Sequence, residues 1–365
     1  MQIDMHYYAT FALARSAGLK WDQAWAIATA AQYVDDSDKV NAHLSDGTPL
    51  EIQPTAHHPV DIHNILPINQ RLTWIPFHFL PGGKGETNAE KLVCDIDSKL
   101  AEDMVSHNLS LAKEDYGMML IGITAHVFAD TFSHYGFSGL SAIENQITPD
   151  SINLISENTD EESIRARLDV FFEKYCEAGL ADNIRLGHGG VATYPDQPYL
   201  TWQFRYSKNG ALSPVRENQK TFLAASKALH SLFSNYADIF DGEYSEPGIR
   251  KEFHEIESEI VDILALEGLA DLRSERWQKS VVEGKLFANS SGARIPTYDP
   301  SQFQNDAKAM STVPVDVAKK TLVILFLKAA EVHRSYVLNE LLPKNGITVD
   351  QTYPELVLDI LRKII

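Results

Sequence analysis

The stretch GITAHVFADTFSHYG, residues 122–136, constrains the chain more than any other. Its apolar residues and those just before it (Met118, Leu120, Ile121, Ile123, Val127, Phe128) read as a helix over 116–133, apolar on nearly every side. A helix of that kind is buried in a core. It nevertheless carries His126, Asp130 and His134 four residues apart. Each four-residue step drifts by only about 40° around the axis, so all three share one stripe. Burying such groups without partners is costly. One alternative is a buried hydrogen-bonded polar stripe. Three ligand-type residues in register favour metal instead. His126 and His134 are about 12 Å apart along the axis, whereas zinc–nitrogen bonds are about 2 Å. One ion cannot gather both on a straight helix. The spacing therefore predicts two or more ions with the Asp130 carboxylate between them.

The remaining pattern is also helical. Helices are expected over 6–16, 21–34, 88–113, 160–179, 214–239, 247–285 with a break near Gly268, 314–342 and 353–364. The run YLTWQFRY, 199–206, is the best strand candidate. Three long connections, 37–86, 135–158 and 181–213, interrupt the helices, and loops of that length are usually functional or ordered around something. The expected fold is all-α: one multi-helix domain over 1–365 with long ordered loops around a metal cleft. A helical C-terminal extension from about 214 is the other way to divide it.

With 44% hydrophobic and 22% charged residues, the 365-residue chain can build a large core. The balance of 32 basic against 50 acidic residues leaves a net charge of −18. That surface repels nucleic-acid phosphate, so no stable nucleic-acid complex is expected. Cys94 and Cys176 lie in no metal or redox motif and read as two buried thiols. The N-terminal MQIDMHYYATFALARSAG lacks the layout of a Sec-type signal. The apolar run TLVILFL, 321–327, is far shorter than the roughly 20 residues of a membrane span. The expectation is a soluble chain, not transmembrane, that is cytoplasmic or exported by a signal-less route.

Further ligands should converge on the 116–133 helix. IDMHYY offers Asp4 and His6. QYVDDSDK offers Asp35 and Asp36 at a helix end, the second reading as a solvated cap. WIPFHFLPGG offers His78, and LGHGGVATYPD offers His188 and Asp196. His57, His58 and His63, in a polar loop, are weaker candidates. His43, His107, His230, His254 and His333 have no ligand-like neighbours and read as surface or core residues.

Taken in order, these residues form a set: an early His, an Asp after the second helix, a loop His, a helical HxxxD with a further His, and a late His with an acid. The set resembles the zinc-dependent phospholipase C and single-strand nuclease superfamily. The motifs QIDMHYYATFALA, AAQYVDD, FHFLPG, AHVFADTFSHYGFSG and GHGGVATYPD look like the bacterial and fungal zinc metallophospholipase C group, over roughly residues 2–205. The resemblance implies an all-α phospholipase C-like domain with two to three Zn²⁺ ions. It puts Asp35, His78, His126 and Asp130 on one zinc, and His6 with Asp130 on another. His134, His188 and Asp196 fall on the third. The superfamily's best-known members have a longer gap from the helical Asp to the next His. They also use the amine and carbonyl of an N-terminal Trp as ligands; here the chain reads Met1-Gln2, and Asp4 is the candidate for that place.

The function so implied is hydrolysis of glycerophospholipids at a membrane surface, giving diacylglycerol and a phosphorylated head group. Asp35 or Asp4 would orient or deprotonate the water. The aromatics Tyr7, Tyr8, Trp74, Phe77, Phe79, Tyr135 and Phe137 would receive lipid or a quaternary ammonium, or else serve as packing. Two other readings share the residues: a single-strand nuclease or nucleotidase, and a helical interaction protein with a structural metal site. Head-group preference, native metal and oligomeric state are not written in the sequence.

Overall fold

The computed structural model describes residues 1–56, 67–140, 146–148, 151–155, 191, 193–288 and 294–349. A π-helical turn, Asp4–Ala9, runs directly into α1 (Thr10–Ser16). The Ala-rich α2 (Trp21–Asp36) follows. Next come α3 (Lys99–Ser110) and α4 (Gly117–His134), the helix of the His-Asp-His stripe. The C-terminal half supplies α5 (Asn218–Ile239), α6 (Phe253–Leu264), α7 (Ala270–Val282), α8 (Gln302–Ala309) and α9 (Leu322–Tyr336).

α4 is the central element. Helices α2, α3, α5 and α9 all pack on it, and nearly all of its residues are buried. This is what an almost wholly apolar helix requires. α2 and α4 cross at close range at Gly122. A Cβ there would lie 2.5 Å from the Ile27 carbonyl oxygen and 2.5 Å from the Ala30 Cβ. Only glycine lets the two backbones meet this closely. One continuous apolar core runs from Met1 to Ile347 and takes in residues of both halves.

A small antiparallel sheet lies beside this core in the order β1-β2-β3, with β1 Asn153–Leu154, β2 Thr201–Gln203 and β3 Arg216–Glu217. Leu154 pairs with Trp202, and Trp202 with Arg216. A second apolar cluster, with Trp202, Phe204, Phe137 and Phe79, joins the sheet to the chain leaving α4.

Several sequence expectations are altered. The helix expected over 88–113 is two, Asn88–Lys91 and α3. Between them Cys94 donates its N–H to Phe137 O and accepts from Gly136 N, which ties this segment to the end of α4. Asp97 then takes φ +43 and Ser98 caps α3. The helix expected over 314–342 is interrupted at Thr321, whose backbone is extended. Val315–Ala318 precedes that break, and the π-helical turn Val337–Leu341 follows α9. Short helical pieces, Pro67–Asn69, Gln70–Trp74 and Ile75–Phe77, lie within the long connection 37–86. The break near Gly268 is present, and the strand expected in 199–206 is three residues long. The helices expected over 160–179 and 353–364 lie outside the described residues. No described helix is long and apolar enough to cross a membrane.

Candidate metal centre

Asp130 stands at the middle of the stripe, buried, with its two oxygens turned to different neighbours. Oδ2 lies 3.3 Å from His126 Nε2 and 3.4 Å from His78 Nδ1. These two nitrogens are 3.3 Å apart. Asp35 Oδ1 approaches the same nitrogens at 3.9 and 4.0 Å. Ligands about 2 Å from a tetrahedral ion are about 3.3 Å from one another. His78, His126 and Asp130 therefore form one face of such a tetrahedron, and Asp35 stands near its fourth corner.

On the other side, Asp130 Oδ1 is 3.2 Å from His6 Nε2 and 2.6 Å from the amino group of Met1. The His6 contact is close but is not aligned as a hydrogen bond. Neither buried ring nitrogen of His6 has a hydrogen-bond partner among the described residues. The His6 ring stacks on His126 with centroids 3.7 Å apart. Further along the stripe, His134 Nε2 lies 3.4 Å from Asp196 Oδ1, which is also 3.3 Å from the Met1 amino group.

Backbone carbonyls set the histidine tautomers. His126 Nδ1–H donates to Ala31 O at 2.9 Å, which leaves Nε2 for the cluster. His78 Nε2–H donates to Thr55 O at 2.8 Å, which leaves Nδ1. His134 Nδ1–H donates to His78 O at 2.7 Å, so its Nε2 faces Asp196. A histidine that ligates a metal through one nitrogen commonly donates from the other to a carbonyl, which fixes its tautomer and ring orientation.

The electrostatics agree with this geometry. Burial opposes a charge on Asp130, but His134, the Met1 ammonium, His126 and His6 hold its carboxyl well below the usual range. Burial, with His126 and the Met1 ammonium, holds His6 well below its ordinary value. It is thus neutral, the form that binds metal. Burial also opposes a charge on the Met1 amine, yet Asp130, Asp196 and Asp35 raise it to about 11. Asp35 is raised to about 6, chiefly by burial, with His78 opposing. Asp35 is 26% exposed while Asp130 is 1% exposed, so the cluster meets solvent on the Asp35 side.

Of the expected ligands, the structure brings together His6, Asp35, His78, His126, Asp130, His134 and Asp196. Asp4 is not among them. Arg273 Nε donates to its Oδ2 at 2.7 Å and Arg273 Nη2 to its Oδ1 at 3.1 Å, which occupies both oxygens. The Met1 amino group, not Asp4, lies against Asp130 and Asp196. Asp36 is not a solvated cap either, because Tyr298 donates its hydroxyl to it at 2.5 Å. His188, His57, His58, His63 and Cys176 lie outside the described residues; Cys94 is a buried free thiol. His43, His107, His230, His254 and His333 stay out of the cluster. Of the aromatics, Tyr7, Phe77 and Phe137 are fully buried packing. Phe79 stacks on His134 and Trp74 lies against His78.

The family described as a family of unknown function (DUF6765) matches residues 1–341. The chain belongs to that family. No curated protein and no solved structure matches it. The match takes in α5 to α9 as well as the segments of the His/Asp cluster, so the family unit includes both halves.

The sequence reading missed Arg216, Arg273, Arg334 and Asn218, which support the cluster from outside. Asn218 Nδ2 donates to Tyr194 O at 2.6 Å and Gln197 O at 2.8 Å, and so fixes the turn that carries Asp196. A lone Arg or Asn far along the chain gives no periodic or motif signal, so nothing in the sequence marks it.

Proposed function

We propose that the chain is a zinc-dependent phosphodiester hydrolase of the phospholipase C type. It cleaves glycerophospholipids to diacylglycerol and a phosphorylated head group. The observation that carries this reading is the spacing of His78 Nδ1, His126 Nε2 and Asp130 Oδ2 at 3.3–3.4 Å, with Asp130 Oδ1 turned to a second group. The donor set of imidazole nitrogen and carboxylate oxygen suits zinc. Zinc bound there supplies Lewis acidity and a water acidified towards a pKa of about 7.

The chain's own groups divide the remaining work. Asp35, the solvent-facing member, is placed to accept a proton from the attacking water. As the water oxygen bonds to phosphorus, the phosphorus–glycerol oxygen bond breaks, the glycerol oxygen takes a proton from solvent and leaves as diacylglycerol, and Asp35 returns its own proton to solvent. Asp130 spans both halves of the cluster, and the carbonyls of Ala31, Thr55 and His78 hold three imidazoles in orientation. Trp74, half-buried beside His78, is the aromatic best placed to meet a head group.

The test is elemental analysis of the purified protein together with a head-to-head assay on phosphatidylcholine, phosphatidylglycerol and single-stranded DNA. Two or three zinc-type ions per chain and chelator-sensitive release of diacylglycerol are expected. Cleavage of DNA with every phospholipid intact would assign the centre to a nuclease. Bound metal without any turnover would make the site structural.

A further inference from the structure

Three buried arginines of the C-terminal half each grip a different ligand-bearing segment of the N-terminal half. Arg273, on α7, binds both oxygens of Asp4, and its Nη2 also donates to the Gln2 side chain. Its Nη1 donates to Gly268 O. Gln2 and Asp4 are the residues just before His6, so Arg273 fixes the turn that lays the His6 ring on His126. Arg334, on α9, donates from Nε to Leu72 O at 2.8 Å and from Nη2 to Gln53 O and Pro54 O at 3.1 Å. The next carbonyl, Thr55 O, is the one that orients His78. Arg216, in β3, donates to Ser133 O at 2.6 Å and Tyr135 O at 2.7 Å, on either side of His134. Its guanidinium lies 3.7 Å from the centroid of the Tyr135 ring.

We propose that Arg273, Arg334 and Arg216 are positioning residues, each presetting one side of the metal centre, through His6, His78 and His134 respectively. This rests on the metal-centre reading. None of the three touches the cluster atoms, and each acts through a planar fork of donors that a lysine cannot reproduce. Long rigid donors suit the task. Exposed carbonyls at a helix end or in a loop need partners, and a partner anchored on a distant helix fixes both ends. Their separate targets predict separate effects. Loss of Arg273 loosens the ion on the Oδ1 side of Asp130, and loss of Arg334 the ion on the Oδ2 side. Loss of Arg216 loosens the ion at His134 and Asp196.

The experiment compares the full-length wild type with Arg273→Lys, Arg334→Lys and Arg216→Lys. Stepwise zinc affinity is measured against a competing chelator, and Tm is recorded alongside. Histidine ring nitrogens are followed by NMR. Each variant should weaken one class of ion by about 10- to 100-fold, the usual effect of an outer-shell change. Each should also move chiefly the ring signals of its own histidine. Gln2→Ala, a milder break in the Arg273 clamp, should weaken the same ion class as Arg273→Lys by less than about 10-fold. It serves if Arg273→Lys fails to fold. Wild-type affinities in all variants would overturn the proposal. So would a uniform loss of all ions that tracks Tm, because that is the behaviour of simple stability residues. A wild type that binds no ion overturns the metal-centre reading first and this proposal with it, and the two failures are thereby told apart.

Discussion

Asp130 offers one oxygen to His126 and His78 and the other to His6. An amide at this place keeps the size, loses the charge and has only one oxygen to give. On the proposed function, Asp130→Asn should reduce zinc content and lower turnover by more than about 100-fold, roughly 2.7 kcal/mol of transition-state stabilisation. Stability should fall too, since bound metal contributes folding energy. Asp115→Asn is the control. Asp115 is exposed and, among the described residues, pairs with Lys328 across the surface, a type of contact worth little. Metal content and turnover near the wild-type level in Asp130→Asn would refute the bridging role. The stripe would then have to be a hydrogen-bond network. The same residue shows what local sequence carries: four-residue spacing on an apolar helix singled it out without help from the fold.

At the scale of elements, the α2–α4 crossing decides whether the cluster assembles. Ala31, on α2, accepts the hydrogen bond that orients His126 on α4. The crossing is as close as it is because Gly122 has no Cβ to meet Ile27 O and Ala30. Gly122→Ala places a methyl 2.5 Å from a backbone oxygen that cannot rotate away. The helices must part by a fraction of an ångström or more. Overpacking of this kind costs about 1–3 kcal/mol. The expected result is a Tm several degrees lower, together with weaker zinc binding because His126 drifts from Ala31 O. An unchanged Tm would show that the crossing has slack. Most of these elements were legible from periodicity alone, α2 and α4 especially. The split of 88–113 was not, because the break serves backbone pairing of Cys94 with Gly136 and Phe137, residues of a distant segment.

For the whole molecule, His333 is a junction. It sits on α9, is fully buried, and donates from Nε2 to Pro76 O at 2.8 Å. Its Nδ1 is 3.3 Å from the amide of Asn108 on α3, which also donates to Thr124 of α4. Burial holds its imidazole down to about 4, against the Pro76 hydrogen bond. An unfolded histidine titrates near 6.5. Above about pH 6.5 neither state binds the proton, and the stability contributed is complete. As the pH falls from about 6.5 towards 4, only the unfolded chain takes it up, and stability drops by up to about 1.4 kcal/mol per pH unit. In chemical denaturation across that window, the difference between wild type and His333→Gln should show this slope. Equal slopes in the two proteins would mean that His333 has no part in acid sensitivity.

Sequence by itself determined the helical class, the central buried helix and the His126-Asp130-His134 stripe on it. It also pointed to Asp35, His78 and Asp196 as further ligand candidates, because residue type and helical period are local properties. It misplaced Asp4, for which His6 two residues later gave a plausible metal context, since nothing local reveals a guanidinium 269 residues away. It read Asp36 as solvated, although Tyr298 reaches it from the far end of the chain. It left open whether the chain beyond about 214 was an extension. Only the tertiary structure packs α5 and α9 onto α4 and sends Arg273, Arg334 and Arg216 to the segments that carry His6, His78 and His134. Those contacts depend on where remote side chains end in space, and only the packed core sets that.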